Sequence, residues 1–240
     1  MPERNRLAVC LGRHVYGTAA ILFGIVTLAW HRALDVVAIA GIAQLLGGLV
    51  IQFRSTRKVG AALLSVVYVG LALQCIPRII ATPRVYDAWG NFFEPFSLAT
   101  GAALVFGSAS AWPGDGLVRV GRVLLGICAV SFTLEQALYL NQTATLVPSW
   151  LPPSPMFWAI ATTIAFAAGA AALLIGMQTR RAAELLTLMI VLFGIIVWLP
   201  AIAHDPHSHA NWSETADNFA IAGAMWILTD LLRRPSSRYA

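Results

Sequence analysis

Apolar residues in this chain come in long runs, broken by short polar punctuation. A helix needs about 20 mostly apolar residues to cross a bilayer, with about 17 as the lower end. Roughly eight stretches meet that requirement: 14 to 30, 36 to 53, 59 to 80, 94 to 112, 120 to 140, 156 to 177, 182 to 203 and 217 to 232. The first and last are short, a deficit that bilayer thinning accommodates. The expected fold is all-α, a polytopic membrane bundle of about eight transmembrane helices. The opening MPERNRLAVCLGRHVYGTAAILFGIVTLAW has the basic-then-apolar order of a signal peptide but no convincing small-x-small cleavage site, so it reads as the first span.

Basic residues in short loops are retained on the cytoplasmic side of a membrane. With these spans Arg4, Arg6, Arg13, Arg54, Arg57, Lys58, Arg119, Arg122, Arg180, Arg181, Arg233, Arg234 and Arg238 share one side, and only Arg32, Arg78 and Arg84 lie on the other. Both termini are therefore expected in the cytoplasm.

Composition agrees with lipid as the solvent. Charged residues make up 11% of the chain and hydrophobic ones 58%, against about 25% and 45 to 50% in soluble domains. Mean hydropathy is +0.73. The net charge of +5 invites a nucleic-acid reading, but the cations sit at the ends of apolar runs instead of on one stripe, which excludes nucleic acid as the expected partner. Cys10, Cys75 and Cys128 lack CxxC spacing and read as packing residues.

The chain also echoes itself. Gly12, Arg13, Gly17 and Phe23 are matched 109 positions later by Gly121, Arg122, Gly126 and Phe132. At an offset of 123, Thr56 and Arg57 meet Thr179 and Arg180, Pro77 meets Pro200, Trp89 meets Trp212, and Glu94 meets Asp217. NQTATLVPSWLPP accommodates the change in offset. Two parallel four-helix repeats follow, residues 1–116 and 117–240, of the kind related by a pseudo-two-fold axis along the membrane normal with sites at the repeat interface.

Several short motifs carry a family likeness. In the second half these are GRVLLG, FTLEQALYL, VPSWLPPSPMFW and TRRAAELL; in the first, IPRII and WGNFFEPFSLATGAALVF. The chain resembles, over nearly its whole length, the DoxX-like family of small four-helix bacterial membrane proteins, here as a tandem duplication. That resemblance implies a place in the bacterial plasma (inner) membrane. It also implies a role as subunit or scaffold of a quinone-linked redox system, binding an apolar small molecule and docking a redox partner protein. Two departures stand out. Gln136 follows Glu135 where the family commonly has a His, and the first half has Val26 at the place of Glu135. No haem, flavin or CxxC signature is present, so the chain alone is not expected to carry electrons. A small-molecule or ion transporter and a non-enzymatic assembly protein are the other two function classes, and whether the chain is an enzyme stays open.

Glu135 is the most informative residue. It lies 16 positions beyond Arg119, about 24 Å up a helix, where an ionisable group costs several kcal/mol unless paired or protonated. It is expected to face the second-half bundle within reach of His204, the two forming a proton-accepting pair if the helix bend near Pro200 closes a height gap of roughly 10 Å. The stretch AHDPHSHANWSETADN gathers His204, Asp205, His207, His209, Glu214 and Asp217, and imidazoles at such spacing suit zinc or copper; His204, His207 and His209 are the candidate ligands, with a merely solvated loop as the plainer reading. Glu94 and Asp217 read as carboxylates at helix starts. Two readings suit Arg78 and Arg84: holding an anionic head group or substrate, or pairing with Asp87 or Glu94. Trp30, Tyr139, Trp150, Trp158, Trp198 and Trp212 form an interfacial belt, and Gly41, Gly47, Gly48 and Gly70 permit close helix packing.

Overall fold

The computed structural model describes residues 3–31, 33–109 and 115–233. Each predicted run is helical. The helices are α1 (Glu3–Trp30), α2 (Val36–Val50), α3 (Arg57–Ala81), α4 (Tyr86–Ser108), α5 (Asp115–Leu138), a short α6 (Leu140–Leu146), α7 (Pro155–Ile175), α8 (Thr179–Phe193), α9 (Leu199–His204) and α10 (His209–Leu232). A π-helical turn, Gly194–Trp198, joins α8 to α9 just before Pro200. Pro200 cannot donate the amide a regular helix requires, and a wider turn is a common way to absorb such a break.

Among the described residues five segments are long and apolar enough to cross a membrane: Leu11–Trp30, Arg57–Ala81, Gly116–Leu138, Pro155–Ile175 and Thr179–His204, with Val36–Val50 a shorter apolar helix. They turn large apolar side chains outward, Val66 being 72% exposed and Ile164 63%. Side chains of this kind, so many and so exposed, belong against acyl chains, and the protein is a membrane protein. Two long helices that fall short of that apolarity, α4 and α10, carry Asp87, Glu94, Glu214 and Asp217 and pack among the others. Most of α10 from Thr215 to Leu231 is covered by other helices. A helix surrounded by protein has no need of an apolar outer face.

The packing follows from that division. α1 packs on α2 and α10, α2 on α3, α3 on α4, α4 on α5 and α10, α5 on α7, α7 on α8, and α8 on α10. The central seam is thus α4 against α10. Small residues bring neighbouring backbones together, as they must where lipid offers no hydrophobic drive. On α1 and α2, Gly17 faces Gly48 and Gly24 faces Gly41; a Cβ on Gly48 would lie 2.6 Å from the Gly17 carbonyl oxygen. A Cβ on Gly223 of α10 would lie 2.6 Å from the Tyr16 amide nitrogen of α1. Gly47 packs on Leu64, whereas Gly70 faces open space.

The ends of α4 and α10 correct the sequence reading. Both start eight residues before the apolar runs at 94 and 217, at Tyr86 and His209. Glu94 and Asp217 therefore lie two turns inside their helices and cap neither; Ser208, accepting from the Asn211 amide, caps α10. The loops that precede them are correspondingly short. Trp89 donates its indole N–H to the Pro83 carbonyl at 3.1 Å, Trp158 to Pro152 at 2.8 Å, and Trp212 to Pro206 at 3.0 Å. Three loops are thus each stapled by a Trp six residues beyond a Pro.

Candidate functional site

Helical spacing puts Asn91, Glu94 and Leu98 on one face of α4, and Glu214, Asp217 and Ile221 on one face of α10, each set at i, i+3 and i+7. These faces border the seam, and two cavities flank it. The first, about 570 Å³, is lined on its polar side by Asp87, Glu94, Glu135, Gln136 and Tyr139, and on its apolar side by Phe132, Phe166 and Phe193. The rings stack edge to face or tilted, Phe132 to Phe166 at 5.8 Å and Phe166 to Phe193 at 6.2 Å between centroids.

Glu135 points at α4. Its carboxyl rests on Gly90, so close that a Cβ there would lie 2.5 Å from Cδ. The first turns of α4 are tied to α5 by two more contacts: Tyr86 Oη donates to Ser131 Oγ at 3.1 Å, and the Asp87 amide to Tyr139 Oη at 3.2 Å. Asp87 itself is engaged by Arg78 at 2.5 Å, one of the pairings expected from the sequence. Glu94 and Glu135 therefore share a protein-lined space at the seam, in which the lining residues include no Lys, Arg or His.

Gln136 accepts hydrogen bonds from Thr162 and Thr163 of α7 at 3.2 Å each. It also lines an apolar groove of about 340 Å³ between α6, α7, α8 and the π-helical turn. The groove adjoins the cavity, sharing Gln136, Thr143, Leu146 and Phe193 with it. On the far side Asn218 of α10 donates to the Ile190 carbonyl at 2.8 Å, bracing α8 just before the π-helical turn.

Glu135 does not meet His204. The histidine is exposed at the end of α9, and among the described residues no hydrogen bond or ion pair joins the two. Glu135 instead rests on Gly90 of α4 and lines a cavity whose other walls include Phe132, Phe166 and Phe193 of the second half. Nor are the loop histidines gathered: among the described residues no group of three His, Cys, Asp or Glu is placed to hold a metal ion. His209 packs its ring on Trp30 at 5.7 Å and lies 3.3 Å from Ser213 Oγ, while the His207 amide donates to Asp205. Cys75 donates to the Asn91 carbonyl at 3.2 Å and Cys128 is buried, as packing thiols are; the Cys10 side chain lies outside the described residues.

What the sequence did not disclose is the convergence of Glu94, Glu214 and Asp217 with Glu135. The signal was the match of Glu94 to Asp217 together with the i, i+3, i+7 pattern around each. Outside the membrane, Asp35 caps α2 by accepting from the Val37 and Ala38 amides and pairs with His31 at 2.8 Å. Partial desolvation raises its carboxyl, but the hydrogen bonds from His31 and the two amides outweigh that and hold it below the usual carboxylate range. No family model, curated protein or solved structure matches this chain.

Proposed function

We propose that this protein holds an apolar small molecule in the cavity beside Glu135 and exchanges protons with it, as a quinone-linked subunit or scaffold of a membrane redox system. The observation that carries the reading is the meeting of carboxylates and phenylalanine rings in one protein-lined space with an apolar groove beside it. An intramembrane acid facing protein marks a functional site by default. A quinone would enter through the groove, stack on Phe132, Phe166 and Phe193, and bring a carbonyl oxygen to Glu135 or Tyr139, where proton supply is what its reduction requires. Electrons would come from a redox partner protein.

The duplication belongs to the same proposal, with residues 1–116 and 117–240 as parallel four-helix repeats. Three features support it. α1 packs on α10 as α5 packs on α4, which is what a two-fold axis through the α4–α10 seam requires. Glu94 and Asp217 occupy the same position in their helices. Phe23 and Leu98, lining a first-half cavity, match Phe132 and Ile221 of the second. The excess of basic residues on one side supports cytoplasmic termini in a bacterial inner membrane.

Mass spectrometry of lipids extracted from protein purified in mild detergent tests the reading. A stoichiometric quinone lost in Gly90→Leu, which fills the Glu135 contact, is expected; quinone retained in that variant at full occupancy refutes it. A proton-coupled transporter is the second reading, favoured by Glu94, which lines both cavities.

A further inference from the structure

A second cavity, about 450 Å³, lies in the first half against α3, α4 and α10. One wall is apolar, with Phe23, Leu71 and Leu98; the other presents Glu94, Glu214 and Asp217. Arg78 is the one cation among the lining residues, and its guanidinium is taken by Asp87. Three carboxylates thus face this space without a matching positive charge on the walls, a situation that burial makes costly unless protons or a cationic guest supply it.

An independent feature points to a guest. Tyr68 is 1% exposed, with its ring held edge-on against Tyr16 at 6.2 Å, and the Tyr16 hydroxyl is already spent on the Leu98 carbonyl at 2.7 Å. Tyr68 lines the cavity, and its hydroxyl, enclosed beside Gln44, has no hydrogen-bond partner of good geometry. A buried hydroxyl left unmatched is destabilising by about 1 to 3 kcal/mol, and here it is held rigidly in place. The absence of any three-residue metal group among the described residues, and a volume far above that of a bare ion, turn the choice away from a metal.

We infer that the first-half cavity is a binding site for a small organic ammonium. Its N–H groups are donated to the carboxylates of Glu94 and Asp217 and to the Tyr68 oxygen, and its apolar body lies against Phe23, Leu71 and Leu98. A charged donor on carboxylates is the strong kind of hydrogen bond, and the apolar wall selects against hydrated inorganic cations. This cavity adjoins the one beside Glu135 at Glu94, which lines both, while its remaining walls are its own.

The test uses the full-length protein in lipid nanodiscs, titrated calorimetrically with benzylammonium and n-butylammonium at constant ionic strength. Benzyl alcohol is the neutral isostere and sodium chloride the inorganic control. Saturable binding of at least one ammonium is expected, with benzyl alcohol weaker by about tenfold or more, as befits loss of hydrogen bonds to charged groups. Tyr68→Phe, which keeps the ring on Tyr16, should weaken ammonium binding several-fold, and Asp217→Asn should weaken it further. The inference is overturned by lack of saturable binding for both ammoniums or by equal binding of benzyl alcohol. It is also overturned by heat from sodium chloride alone of the same size, or by affinity indifferent to both Tyr68→Phe and Asp217→Asn.

Discussion

Replacing Gly90 by alanine isolates the position of Glu135 from the stability of the fold. The new Cβ would lie 2.1 Å from Glu135 Oε2 and 2.5 Å from Cδ, whereas ordinary contact begins at 3.4 Å, so the carboxyl must retreat by about 1.3 Å. The atoms in the way are the far end of a flexible side chain, which a rotation can move. Pushing that side chain off its rotamer costs about 0.5 to 1.5 kcal/mol, while alanine in a helix interior is favoured over glycine by about 0.8 to 1.0 kcal/mol. The two nearly cancel. Gly90→Ala should therefore keep its thermal midpoint within about 3 °C of the parent and still misplace the acid by a distance that matters, since displacements near 1 Å can weaken a site by up to about a hundredfold. The assay is quenching of tryptophan fluorescence by decylubiquinone in nanodiscs, alongside thermal unfolding. Affinity should fall about tenfold or more. Gly223→Ala is the contrast: there the neighbours are the Tyr16 amide nitrogen at 2.6 Å and Cα at 2.7 Å, backbone atoms that cannot rotate away, so α1 must shift and stability should fall by roughly 1 to 3 kcal/mol. A Gly90→Ala protein that unfolds as readily as Gly223→Ala, or that binds decylubiquinone unchanged, would refute the reasoning.

Glu135→Gln keeps the shape of the side chain and removes its proton exchange, so the pH dependence of decylubiquinone binding should flatten while the thermal midpoint holds; Val26→Ala, at the matched position of the first half, should leave that dependence intact. Asp35→Ala tests the cap outside the membrane. Because the folded Asp35 carboxyl is held below its unfolded value, its contribution is present above the unfolded value and lost as pH falls through the folded one, so the midpoint gap between parent and variant should be open at pH 6 and close in strong acid. A gap that widens in acid contradicts the assignment. Single cysteines at positions 56 and 179, in a background lacking the native thiols, should resist impermeant maleimide from outside the cell and react after permeabilisation; outside labelling of either reverses the topology.

Some of this architecture was legible from residues alone, and the physical reason differs from part to part. A bilayer demands long apolar runs, so Arg57–Ala81 and Thr179–His204 announce themselves. The same rule cut α4 and α10 short, because helices enclosed by protein tolerate polar turns such as Tyr86 to Phe93, and a reading by apolarity stops at them. Glu135 was visible as an acid within a span, but its neighbour was not. Rise per residue fixes depth along an axis, not direction around it, and only the packed structure turns Glu135 towards Gly90 and leaves His204 outside. Nothing in the sequence marks Tyr68, whose significance lies in a hydroxyl that three neighbouring helices fail to satisfy.

The exchange of helices across the seam bears on how the chain is made. α1 finds one partner at once, α2, through Gly17, Gly24, Gly41 and Gly48, and that hairpin can close as soon as both helices have left the ribosome. Its other partner, α10, is the last helix described, so the flank of α1 that carries Gly12 and Tyr16 stays open to lipid through most of synthesis. Loop closure over so long a stretch is slow compared with that of neighbours. The central seam is consequently a late joint, sealed when α10 slides between α1, α4 and α8. A nascent chain halted after α9 should be a membrane-inserted but unlocked intermediate, accessible along α1 and open to capture by quality-control proteases.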